Sequence, residues 1–88
     1  MYRRNEDIVT RKIAGELFLV PIRGKIADMQ RIFTLNPVAE YIWQEIDKQN
    51  LHEIREGILA RFDVEEERAG ADIGEFIVEL LEAQFIRE

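Results

Sequence analysis

Cysteine and serine are both absent from this 88-residue chain, and His52 is its only histidine. Without cysteine there is no disulfide framework, no thiol nucleophile and no thiolate metal site. A nucleophile paired with an imidazole would have to come from Thr10 or Thr34, and both stand in strand-like text. A zinc site needs three or four ligands, here drawn from one imidazole and carboxylates alone. Hydrolytic and metal catalysis are therefore not expected, nor is a bound cofactor, and the chain reads as a non-enzyme. Long apolar runs are lacking too: none approaches the roughly 20 residues of a membrane helix. The opening Met1-Tyr2-Arg3-Arg4-Asn5-Glu6-Asp7 has no apolar stretch behind its arginines long enough for a signal peptide. No membrane partner is expected, and the cytoplasm is the expected location.

What is present suits one small globular domain spanning residues 1–88. The chain is 47% apolar and 34% charged, a globular composition, but its length is near the lower end for a self-sufficient core. Charge is unevenly placed. Residues 1–35 carry seven Lys/Arg against four Asp/Glu, whereas residues 36–88 carry five against fourteen. The acidic portion repels phosphate backbones at long range, so nucleic acid is not an expected partner.

The pattern begins with strands. Ile8-Val9-Thr10-Arg11-Lys12-Ile13 is β-branched and short, and Ala14-Gly15 then leads into Glu16–Ile22 as a hairpin. Pro21 cannot donate to a ladder and belongs near a strand end or a bulge. Residues 23–28 read as a loop or wing, and Gln30–Leu35 as a third strand, with Phe33 and Leu35 on one face. Helices follow, announced by their caps. Asn36-Pro37 opens the first, with Val38, Ile42 and Ile46 spaced for one face to about Lys48. Asn50 with Glu53 resembles a capping box for a second helix through Ile54, Ile58 and Phe62. Asp63 with Glu66 repeats the signal for a third, which runs to about Gln84 over Ala69, Ile73, Phe76, Ile77, Leu80 and Leu81. Phe85-Ile86 packs back on the core or adds a final extended segment. Three strands and then three helices predict an α+β fold, and a meander order leaves the third strand on an edge.

The run Phe33-Thr34-Leu35-Asn36-Pro37-Val38-Ala39-Glu40-Tyr41-Ile42-Trp43 resembles the PqqD family, small proteins of pyrroloquinoline quinone biosynthesis. Val9-Thr10-Arg11, Leu19-Val20-Pro21, Phe62-Asp63-Val64 and Phe76-Ile77-Val78-Glu79-Leu80-Leu81 fit the same register. The resemblance implies a winged-helix-like fold, a three-stranded antiparallel sheet followed by a three-helix bundle. It also implies a recognition element for the leader of a ribosomally made precursor peptide. The leader adds as a strand to the third strand, beside the third helix, and is presented to a modifying enzyme, often a radical S-adenosylmethionine protein.

Two features carry the expected site. One is the edge formed by Gln30, Arg31, Ile32, Phe33 and Thr34, where main-chain bonds supply affinity and alternate side chains set specificity. The other is the third helix, with Asp72, Glu75, Phe76 and Glu79 beside that edge, the carboxylates continuing as a stripe to Glu82. Such a stripe is ordinarily a solvated helix face. Trp43 and Phe76 read as core, Tyr41 as an aromatic with a surface hydroxyl, and His52 as a surface residue. Gly70 and Gly74, interior to the third helix, mark either a kink or late helix start, or a thinned face that lets a peptide side chain or partner backbone approach closely. Two other functions fit the same elements: a winged-helix regulator binding DNA through a basic wing, or a structural subunit that pairs with itself. The acidic third helix opposes the first of these, because a recognition helix must approach phosphates.

Overall fold

The computed structural model describes residues 1–24 and 26–88; the expected wing therefore includes one residue, Lys25, outside the described residues. The elements are β1 (Arg3–Arg4), β2 (Ile8–Ile13), β3 (Glu16–Arg23), β4 (Ile26–Ala27), a 3₁₀ turn (Met29–Arg31) and β5 (Phe33–Leu35), then α1 (Pro37–Glu45), α2 (Leu51–Arg61), α3 (Glu66–Glu82) and β6 (Ile86–Arg87). This is an α+β fold, but its sheets exceed the three strands expected. β3 pairs antiparallel with β2, β4 and β5 to make four strands, and β1 pairs with β6 in a separate two-stranded sheet. The additional strands arise from backbone pairing that composition does not announce: the wing folds back with Ile26 opposite Arg23, and the C-terminus returns with Ile86 opposite Arg4.

The β2–β3 hairpin turns on two residues, Ala14 (φ 52°) and Gly15 (φ 83°). Both positive angles match the twist of flanking strands, as a type I′ turn does. Glycine takes this conformation freely, whereas alanine is strained there by about 1–2 kcal/mol. Pairing puts Leu19 opposite Phe33 and Leu17 opposite Leu35, so these four side chains share one sheet face with Ile8. That face meets the helices in a core built on Leu19, Leu35, Ile42, Ile54, Ile58, Ile77, Leu80 and Phe85. Burying one such side chain contributes about 1.5–3 kcal/mol.

Helix starts follow their caps. The Asn36 side chain accepts from the Ala39 N–H at 2.8 Å, with Pro37 at the first helical position. Asn50 and Glu53 form the reciprocal capping box, at 2.8 and 3.0 Å. The third expected cap is corrected. The N-cap of α3 is Glu65, with no side-chain cap bond, and Asp63 stands two residues ahead of it. Phe62 and Val64 both pack on the core, which holds the linker extended and delays the helix. At its other end α3 closes through Gln84 (φ 64°), where the Phe85 N–H donates to the Leu80 carbonyl at 2.9 Å and the Gln84 N–H to that of Leu81 at 3.1 Å. This double bond pattern reverses the chain and satisfies carbonyls at the helix end. It drives Phe85 and Ile86 into the core, and Ile86 also enters β6.

Candidate functional site

β5 pairs with β3 along one side, and its other side faces no strand among the described residues. Its unpaired main-chain groups are an open template for a further strand. Beside that edge lies a groove of about 460 Å³ between β5, the start of α1 and α3. Three segments meet there for identifiable reasons. Phe33 is held by pairing with Leu19 and by stacking on Phe85, with ring centroids 4.7 Å apart. The Asn36 cap starts α1 immediately after β5, which places Val38, Ala39 and Ile42 beneath the edge. α3 buries Ala69, Ile73, Ile77 and Leu80, and this rotates Asp72, Glu75, Phe76 and Glu79 toward the groove.

Seven of the nine expected residues, Ile32, Phe33, Thr34, Asp72, Glu75, Phe76 and Glu79, therefore line one groove. Gln30 and Arg31 do not. They belong to the 3₁₀ turn, which Asp28 initiates by accepting from the Gln30 N–H at 3.1 Å. The strand consequently begins at Phe33 and is shorter than expected. Arg31 instead reaches the Ala83 carbonyl at 2.5 Å and lies 5.9 Å over the Phe85 ring, clamping the C-terminal turn. Gly70 and Gly74 are exposed and stand outside the groove lining.

The sequence reading did not name Asn36, Val38, Ala39, Ile42 and Arg68 as groove residues. Val38 and Ala39 had a signal: both follow directly on the edge strand, and both are only half-buried. Arg68 stands four residues before Asp72, the spacing of a helical ion pair, and its Nε lies 3.1 Å from Oδ1 of Asp72. Trp43 is buried as expected, with Arg4 5.5 Å over its ring and bound to Asp47. Phe76 is only half-buried and forms part of the groove floor. The Tyr41 hydroxyl accepts from Arg61 at 3.4 Å, and His52 is exposed on α2.

Among the described residues no cluster of three His, Cys, Asp or Glu is placed to hold a metal ion. No described helix is long and apolar enough to cross a membrane. A second cleft, between Arg3, Arg4, Trp43 and Asp47, is similar in size. Its main charges, Arg4 and Asp47, are already paired, although the outer edge of β2, through Ile8 and Thr10, borders this cleft as well.

The open edge strand thus borders a groove whose lining combines apolar side chains from β5, α1 and α3 with the carboxylates of α3. The chain belongs to the PqqD family: the model of coenzyme PQQ synthesis protein D matches residues 16–86. No curated protein sequence matches it. Among solved structures it is similar in fold to TbiB1 in complex with the TbiA(beta) leader peptide, with a TM-score of 0.72 and 20% identity. That match covers 97% of this chain and 94% of the other.

Proposed function

We propose that this chain is a non-catalytic recognition domain, winged-helix-like in layout, that captures the leader of a ribosomally made precursor peptide and presents it to a modifying enzyme. The observation that supports this most is the free edge of β5 beside a groove that holds Phe33, Val38 and Phe76 among its lining residues. An extended leader meets the edge with main-chain hydrogen bonds and sends alternate side chains down onto Phe33, Val38 and Phe76. Ordering a disordered peptide costs about 2–5 kcal/mol, so affinity comes from a few buried anchors rather than from length. The solved TbiB1 complex contains a leader peptide, and at 20% identity it lends this reading a shared fold. The enzyme partner is proposed to be a radical S-adenosylmethionine protein, by analogy with the family, and the complex is proposed to work in the cytoplasm.

Calorimetric titration with the leader of a precursor encoded beside this gene tests the reading, run together with sedimentation over a range of protein concentrations. One-to-one binding to a monomer is expected. A mass that doubles with concentration, with no heat from any leader, would indicate that the β5 edge pairs with a second copy instead.

A further inference from the structure

The two long walls of the groove differ in charge. β5 offers Phe33 and Thr34 and no charged group, whereas α3 offers three carboxylates and one guanidinium. The guanidinium is already committed, because Arg68 holds Asp72 through both carboxylate oxygens, at 3.1 and 3.4 Å. Glu75 and Glu79 join no ion pair among the described residues. They stand one helical turn apart, a rise of about 6 Å. Residues two apart in an extended strand are separated by about 6.6 Å and point to the same side. Between the carboxylates and the strand edge lies the apolar floor of Phe33, Val38 and Phe76. Such a floor suits the alkyl stem of a lysine or arginine while its charged head stays in water.

Resting on the leader-groove reading, we propose that Glu75 and Glu79 make this site selective for a basic peptide, one with Lys or Arg at two positions two residues apart beside an apolar anchor. The two carboxylates match the period of an added strand, and Asp72, neutralised by Arg68, contributes little. Both glutamates are exposed. They therefore act through selectivity and encounter rate more than through raw affinity, and salt weakens the effect. An acidic segment in the same register would meet like charge at both positions.

The test is a selection from a display library of random peptides about twelve residues long, enough to span the edge strand and groove. It uses the full chain as wild type, as Glu75→Gln/Glu79→Gln and as Glu75→Lys/Glu79→Lys. Wild type is expected to enrich paired Lys/Arg at alternate positions, the glutamine variant to lose that bias, and the lysine variant to favour acidic pairs. Selected basic peptides should bind the glutamine variant roughly fivefold to tenfold more weakly at low salt. Circular dichroism of each variant checks that α3 is intact. Enriched peptides without charge bias, or with the same bias in every variant, would overturn the charge proposal while leaving the groove reading intact. Peptides that bind without shifting the amides of Phe33–Leu35 would overturn the groove reading itself. A selection that enriches nothing counts against both.

Discussion

The ring of Phe85 stacks on that of Phe33, with centroids 4.7 Å apart and planes 28° from parallel, so the C-terminal turn positions the strand that lines the groove. Phe85 is 1% exposed, and truncating such a side chain costs about 3–5 kcal/mol. Phe85→Ala is expected to lose stability on that scale in urea unfolding. Phe85→Leu keeps most of the buried volume and loses the stack, so it should remain folded and bind leader more weakly. Unchanged affinity in the leucine variant would separate the C-terminus from the site.

The helix glycines are predicted to respond oppositely. A Cβ on Gly57 would collide with the ring and hydroxyl of Tyr41, which packs over α2. Gly74 has nothing within 4 Å of the same position. Gly74→Ala should therefore gain up to about 1 kcal/mol of helix propensity. Gly57→Ala should lose stability, because displacing Tyr41 also disturbs its edge contact with Phe62 and its place under Arg61. Thermal melts of the two variants give the comparison.

Among the described residues, two that are not glycine hold left-handed backbone angles, Ala14 at φ 52° and Gln84 at φ 64°. Gln84→Gly should raise stability by about 1 kcal/mol, since the Schellman-type turn favours glycine at this position. Ala14→Asn creates the Asn-Gly pair preferred in type I′ hairpins and should also stabilise. Chemical denaturation measures both, and a loss in either would mean that the turn geometry is not as described.

Ile32 has a φ of −81° that proline can adopt, while Arg31 before it ends the 3₁₀ turn and would shift toward an extended conformation to precede proline. Proline also removes a donor at the entrance of the open edge. Ile32→Pro is expected to stay folded and to lower leader affinity by tenfold or more, on the order of 1.4 kcal/mol. Retained affinity in a folded variant would count against strand addition at β5.

The parts of the fold that were readable in the sequence are those fixed by local chemistry. Asn36-Pro37 and the Asn50–Glu53 box start helices because their side chains satisfy nearby N–H groups, and Ala14-Gly15 makes its hairpin in the same local way. What escaped depends on distant contacts. Asp28 caps a short turn where the residues read as strand, and this takes Gln30 and Arg31 out of the strand and the groove lining. β1 and β6 exist only because the α3 turn returns the chain to Arg3 and Arg4. Asp63 has the chemistry of a cap, but packing of Phe62 and Val64 decides where α3 begins. The groove itself was half legible. The edge strand could be read from the short connections and the acidic stripe from its spacing, while their meeting in one groove was implied by the family resemblance; the floor from α1 required knowing how tightly that helix turns under β5.

The most direct test of leader capture at β5 is a two-dimensional amide NMR titration with a leader peptide from a neighbouring precursor gene. Strand addition predicts shifts concentrated in Ile32–Leu35 and along Arg68–Glu79, with little change at Arg3, Arg4 and Arg87. Shifts centred on the Arg3–Trp43 cleft, or none at saturating leader, would contradict it.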